Sequence, residues 1–282
     1  MGIYYQKRDL EVTDYQLFPL KSANSEYPFI LRGPKPSTLE TDGYFACLGA
    51  AFTFGCFTDK PYPTLLQEKL GLPTLNLGFA GAGPSWFLQN KELIEYANNA
   101  KFVIILVMSG RSESNSVYDY NFGGFLRRSD NKVINNIFNA YQELLENHTE
   151  EYVRKIVNET KNNWIASYQE LLSLIKKPKI LFWFSERNTE YTPAYTHVYH
   201  LFGDFPQMVN SSMIDEIKDY CEEYVECISQ RGMPQLLTSR FSGRKLSVTV
   251  AEEPWTQNNY YASPEMHEDA AKALEPVCRV FV

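Results

Sequence analysis

The sequence predicts an α/β protein, a three-layer α/β/α sandwich on a flavodoxin-like parallel five-stranded sheet, and three observations carry that prediction. Short apolar runs at 45–48, 74–77, 102–108 and 177–187 alternate with segments of helical apolar spacing. Strands that are apolar on both faces are what a parallel sheet covered by helices requires. Strand, helix and strand in that order need a crossover and a parallel pairing. Finally, each run ends in small or polar residues, which a parallel sheet delivers to one edge, where ligands bind in open α/β folds.

At 282 residues with 44% apolar composition the chain can bury one large core. Residues 1–43 read as an N-terminal extended segment packed on that core, with prolines flanking Lys35 to keep it out of a helix. Arg32, just ahead of the first core strand, points to the crevice or to a salt bridge. Residues 44–282 read as a single domain with a helical insertion at about 125–175. The formal charge of −7 and pI of 5.3 argue against nucleic acid and anionic membranes as partners, since either needs a basic face. The first fifteen residues lack the apolar core of a signal peptide and no apolar run reaches the length of a membrane span, so a cytoplasmic setting is expected. Five cysteines without CxxC spacing read as free thiols rather than a zinc site or disulfides. No metal and no cofactor is called for.

Taken in order, 45–48 is a strand ending in the turn Gly49-Ala50-Ala51. A helix from Pro63 follows, then a strand from Thr74 that runs into the glycine loop 78–84. Residues 85–100 have helical spacing, and 102–108 is a fully apolar strand that delivers Arg111, Ser112 and Asn115 to the same edge. Two helical stretches fill 131–175 and exceed a simple crossover. The strand at 177–187 ends in Ser185, Glu186 and Arg187. A Tyr-, His- and Pro-rich run, 188–209, reads as a long ordered loop beside the pocket and holds His197 and His200. A helix over 211–230, a short strand near 235–239, a hairpin-like segment at 245–250 and a helix over 264–274 complete the chain.

The blocks LGAAFTFG, YPTLLQEKLG and LNLGFAGAGP resemble the first two blocks of the SGNH, or GDSL-like, hydrolase superfamily. The likeness covers roughly 44–115 and again 258–274. It implies an esterase scaffold in which a serine follows Gly-Asp and an Asp-x-x-His block precedes the last helix. Here Ala50-Ala51 stand in place of Asp-Ser, and Asn258 and Tyr261 occupy the positions of the acid and the base, with His267 on the helix beyond. A serine hydrolase needs nucleophile, base and orienting acid together, and none stands at its expected position. The glycine backbone at Gly81 and Gly83, with Ser112 or Asn115, retains donors for an oxyanion. The RGP, AAxTFG, NLGxxGAGP, SxRSxSN and YYxSPEMH segments also resemble an uncharacterised bacterial domain family, which leaves the double alanine as either a family trait or an introduced Ser-to-Ala change.

Three functions compete on these residues. The first is an SGNH-like ester hydrolase or acyl or group transferase acting on a small molecule or glycoconjugate, with its usual catalytic set replaced. Thr53, or Cys56, is then the substitute hydroxyl or thiol unless it only packs the turn. Arg111 and Arg187 recognise an anion through bidentate guanidinium contacts, and Asn115 and Gly81 supply carbonyl donors. The catalytic candidates are Arg111, Asn115, Thr53 and Tyr261; Gly49, Ala50, Ala51, Gly81, Gly83, Ser112, Ser185, Glu186, Arg187, Asn258 and His267 line the substrate. The second is a nucleotide-dependent, sulfotransferase-like transferase, although the Gly-Ala-Ala turn lacks a phosphate-loop lysine. The third is a non-catalytic module that keeps the pocket. In each case the expected partner is a small acyl or anionic molecule.

Overall fold

Four buried strands and one edge strand form a single parallel sheet: β1 (Phe45–Gly49), β2 (Thr74–Gly78), β3 (Val103–Leu106), β4 (Lys179–Ser185) and β5 (Glu223–Ile228). In the computed structural model, which describes residues 2–22, 26–121, 124–250 and 252–282, they are hydrogen-bonded in the order β5-β4-β3-β1-β2. Every pairing is parallel. This is the flavodoxin-like arrangement, and its switch point lies between β1 and β3. All residues of β1 to β4 are buried, which explains why they are mostly apolar on both faces.

Helices cover both faces. Helix α1 (Tyr62–Leu70) packs with the last helix on one side, while Pro84–Gln89 and α2 (Lys91–Asn99) lie on the other. Pro63 in the first turn of α1 and Gly71 beyond its end, at φ 67°, are the expected start and stop signals. The predicted helix 85–100 is in fact two. Asn90 leaves helical geometry between them and its amide donates back to the Trp86 carbonyl at 2.8 Å. Helix α3 (Ile137–Asn147) and α4 (Glu150–Leu174) start on Asn136 and Thr149, each accepting a hydrogen bond from a first-turn amide. Ser263 does the same for α5 (Pro264–Cys278).

The reading of 211–230 as a helix is corrected. A short helix, Ser211–Asp215, gives way to a 3-10 turn and then to β5. As an edge strand β5 pairs only with β4 and exposes Glu223, Glu226 and Ile228. Its mixed polarity therefore hides a strand that completes the sheet, and Gln235–Leu236 pairs only with Gln257–Asn258 in a small separate ribbon.

The N-terminal segment is also not simply extended. Gly2–Asp9 is a helix, and Phe18–Leu20 pairs antiparallel with Phe29–Leu31; residues 1 and 23–25 lie outside the described residues. Asp9, fully buried, anchors it: its carboxylate receives the Arg8 fork at 2.5 and 2.7 Å and the Tyr15 hydroxyl at 2.5 Å. Arg32 lies over the Tyr15 ring at 4.5 Å and donates to the carbonyls of Thr58 and Asp59 at 2.9 and 2.8 Å. It stays with the scaffold rather than turning to the crevice.

The insertion is smaller than its predicted bounds. A three-stranded antiparallel sheet at 118–134 and α3 form a satellite core around Tyr118, Phe125, Tyr141 and Phe202. The second half of α4 instead belongs to the main core through Trp164, Tyr168, Leu171 and Leu172. There the Tyr168 hydroxyl donates to the Leu106 carbonyl at 2.7 Å, tying the helix to the end of β3. Helix α4 is thus both the crossover from β3 to β4 and one wall of the insertion.

Candidate functional site

The turn after β1 is packed too closely to hold a ligand. A Cβ on Gly49 would stand 2.2 Å from Thr53 Oγ1, and one on Gly78 2.2 Å from the Phe54 nitrogen. Thr53 is fully buried, and its hydroxyl shares a 3.0 Å hydrogen bond with that of Tyr62. Asn76 locks the same turn, donating to the Thr53 carbonyl at 2.9 Å and accepting from the Gly78 amide at 2.9 Å. The expected catalytic role of Thr53 is therefore corrected: its hydroxyl faces the core. Cys56 is likewise buried, and burial pushes its thiol well above the usual range. Ala50 belongs to the main core, and Ala51 packs against the cluster formed by Tyr5, Phe54 and Tyr261.

The positions that the resemblance assigns to an acid and a base are structural as well. Asn258 has every polar atom engaged: Oδ1 accepts from the amides of Tyr260 and Tyr261 at 3.1 and 2.8 Å, and Nδ2 donates to Gln235 Oε1 and the Tyr261 carbonyl at 2.9 and 2.8 Å. Tyr261 is buried beside the Arg8 guanidinium, which lies 5.7 Å from its ring centre. Burial raises its phenol, and the residue is part of the core. His267, fully buried, accepts from the Tyr62 amide through Nδ1 at 3.2 Å and stacks on the Tyr62 ring. Burial first, and the Arg32 charge second, push its pKa down to about 3. It is a neutral core imidazole, not a substrate ligand.

The loops after β2 and β3 close on each other. The carbonyl of Gly81, whose backbone was expected to donate to an oxyanion, accepts the Tyr120 hydroxyl, and a Cβ on Gly83 would meet the Ser112 carbonyl at 2.9 Å. Ser112 is buried by that approach. Asn115 is a hub for the insertion, accepting from the amides of Val117 and Tyr118 at 2.9 Å and donating to the hydroxyls of Tyr141 and Thr160 at 3.3 and 3.0 Å. With both ends of its amide used, it has no donor left for substrate. Glu113, in the loop after β3, is 3% exposed and accepts long bonds from Ser85 and Ser167, at 3.3 and 3.4 Å. Desolvation raises its pKa to about 7.

Arg187 and Ser185 do not face a ligand either. The Ser185 hydroxyl donates to the Phe205 carbonyl at 2.5 Å and accepts from the Arg187 amide at 3.0 Å. The Arg187 guanidinium reaches the carbonyls of Asn188, Asp204, Pro206 and Val209 at 2.7 to 3.1 Å. An arginine saturated by four carbonyls holds the 204–209 loop in place and is not an anion receptor. Its anion-binding assignment is corrected to a positioning role.

What remains open lies beyond Phe52, at the switch point and under the insertion. A cavity of about 160 Å³ is walled by Phe52, Phe138, Tyr199 and Phe205, with Glu186, Asp204, Gln207 and Tyr260 among its polar lining. The Phe52 and Phe205 rings stack at 4.2 Å. Arg111, from the end of β3, does not line the cavity itself but contacts two residues that do, its guanidinium 4.5 Å above the Phe138 ring centre and its Nη2 3.4 Å from the Tyr260 hydroxyl. Gln207 donates to the same hydroxyl at 3.2 Å. Arg111 Nη1 and Gln207 Oε1 are both shielded from solvent and have no partner among the described residues. Glu186 lines the cavity half-buried, with its pKa raised by desolvation and, second, by Asp204.

Of the predicted residues, the structure thus brings Arg111 and Glu186 to one cavity and leaves the other catalytic and binding candidates in the scaffold. Gln207 and the aromatic walls carried no separate signal in the sequence, apart from the aromatic richness of the 188–209 run. Among the described residues no group of three or more His, Cys, Asp or Glu side chains converges as metal ligands.

Fold and site define a flavodoxin-like α/β/α domain with one aromatic, arginine-backed cavity at its switch point. The chain belongs to the family described as a domain of unknown function, DUF6473, whose model matches residues 5–122 and 139–282. No curated protein matches it. Among solved structures it is similar to a catalytic mutant of Axe2, an acetylxylan esterase from Geobacillus stearothermophilus, at 12% identity and TM-score 0.42, covering 86% of this chain and 97% of that one. A second mutant of Axe2 matches at 11% identity and TM-score 0.44, over 83% of this chain and 93% of the other. A G-D-S-L family protein from Desulfitobacterium hafniense matches at 12% identity and TM-score 0.37, over 83% and 99%.

Proposed function

We propose that the protein binds a small anionic molecule in the switch-point cavity, with Arg111 taking the anion and the aromatic walls taking its apolar body. The observation that supports this reading is the Arg111 guanidinium, which covers Phe138, keeps one nitrogen out of water and forms no ion pair among the described residues. A cation held this way is costly until an anion arrives. The cavity, about 160 Å³, is near the ~150 Å³ at which an apolar cavity accepts a benzene ring. A ring-sized carboxylate therefore fits both its volume and its charge. Serine-type ester hydrolysis is not supported, because the lining residues include no serine, cysteine or histidine.

A group transferase is the second reading, favoured by Glu186. Its carboxyl lines the cavity with its pKa raised by desolvation and, second, by Asp204, which suits a general acid or base. Five free cysteines support a reducing, cytoplasmic setting, and the acidic balance supports small molecules rather than nucleic acid or membrane as partners. No described helix is long and apolar enough to cross a membrane.

Calorimetric titration with sodium benzoate tests the binding reading. The intact chain should bind, and Arg111→Ala should weaken binding by roughly 10- to 100-fold, the worth of a charge-assisted hydrogen bond. Equal binding by both chains, or none by either, would refute the reading. Turnover of p-nitrophenyl acetate that is lost in Glu186→Gln would favour the transferase.

A further inference from the structure

We propose that the Tyr260 hydroxyl is a placeholder for the ligand's anionic oxygen, and that ligand entry displaces it from between Arg111 and Gln207. The inference rests on the binding reading above and says how that site is kept when empty.

Three features of the geometry carry it. The phenol oxygen sits between two donors, Arg111 Nη2 at 3.4 Å and Gln207 Nε2 at 3.2 Å, both at or beyond the long end of ordinary hydrogen bonds. Accepting both uses its two lone pairs, and its own proton has no acceptor among the described residues. A single oxygen also cannot fill a fork, and Arg111 Nη1 and Gln207 Oε1 are left unpartnered while Gln207 is only 2% exposed. A carboxylate entering the same place presents two oxygens to the guanidinium, replacing one long neutral contact with two charge-assisted ones. Tyr260 is free to yield. It lies in the bend between the strand Gln257–Asn258 and α5, and its ring touches Phe52 and Tyr261 only edge-on, at 6.4 and 5.0 Å. Tyr260 also lines the cavity itself, so a ligand in the aromatic chamber approaches the arginine past its ring.

Tyr260→Phe discriminates this device from a simple binding contact, because phenylalanine keeps the ring packing and removes only the oxygen. If the hydroxyl competes with the ligand, Tyr260→Phe binds benzoate three- to tenfold more tightly than the intact chain. If it instead holds the ligand, the variant binds more weakly, and that result, or unchanged affinity, overturns the proposal. A second readout uses ring-labelled tyrosine in the intact chain. On benzoate addition the Tyr260 ring signals should move to a solvent-exposed environment, and an unmoved ring at saturation likewise overturns it. The two levels of inference fail differently. Arg111-dependent binding without tightening in Tyr260→Phe removes the placeholder alone, whereas absence of benzoate binding in all three chains removes the site and the placeholder together.

Discussion

The two sides of the crevice, both at the carboxyl edge of one sheet, differ in where their unsatisfied polar atoms lie. On the β1–β2 side, Thr53, Asn76, Gly78 and Asn258 form a closed set of hydrogen bonds with glycines pressed against backbone. On the β3–β4 side, Arg111 Nη1 and Gln207 Oε1 are buried without a partner next to a cavity, whereas the unpartnered atoms of the other side, Arg32 Nε and His267 Nε2, are enclosed in the core. Buried polar groups in native proteins are almost always paired, so the unfinished side is where a ligand has something to add. The β1–β2 side is scaffold in this chain.

The largest expected effect tests the closed side. Gly78→Ala forces a Cβ to within 2.2 Å of the Phe54 nitrogen, which should cost about 3 kcal/mol or more and lower the thermal midpoint by roughly 6–12 °C. A midpoint within 2 °C of the parent in a thermal melt would show that the turn has room, and the contrast between the two sides would be lost.

Glu113 sharpens the comparison, because its carboxyl is buried where the loops after β2 and β3 meet and has long hydrogen bonds. Its pKa, raised to about 7 by burial, means that the folded state holds this proton more tightly than the unfolded chain. The associated stability is fully present below the ordinary carboxylate range and is lost as pH rises through about 7. Glu113→Gln should therefore stabilise the protein at pH 8.5 by up to about 3 kcal/mol and give no gain at pH 4.5. Denaturant melts at the two pH values measure it, and a gain independent of pH would contradict the burial argument. His267 acts in the opposite direction: with its pKa near 3, its stabilisation is lost as pH falls below about 6.5.

The smallest expected effect is Ala51→Ser. The position is half-buried against aromatic rings, and stability should change by less than about 0.5 kcal/mol. Assayed with p-nitrophenyl acetate, the variant should show no ester turnover, since Asn258 and Tyr261 cannot supply the acid and base. Turnover would mean that the closed side still holds catalytic geometry.

The scaffold was largely legible in the sequence, because a buried parallel strand cannot avoid being apolar on both faces; β1, β2, β3 and β4 all announce themselves this way. The strand β5 was not, because an edge strand alternates with solvent and Glu223 and Glu226 read as a helix surface. At the site, Arg111 was legible as the charge that follows an apolar strand. Arg187 has the same local signature and a different fate, since what decides it is a loop twenty residues on that folds back to offer carbonyls. Gln207 and Tyr260 lie 96 and 149 residues from Arg111 by their sequence numbers, and no local pattern brings them together. Only the sheet order and the return of the last loop do so.

The division of the crevice is tested most directly by following the chain's amide, glutamine side-chain and arginine Nε signals by NMR during titration with benzoate. Shifts confined to Arg111, Gln207 and the 259–261 loop, with Gly49, Ala51 and Gly81 silent, are the expected result. Shifts centred on Gly49 to Thr53 and Gly81 to Gly83, with Arg111 unmoved, would place the ligand on the closed side and contradict it.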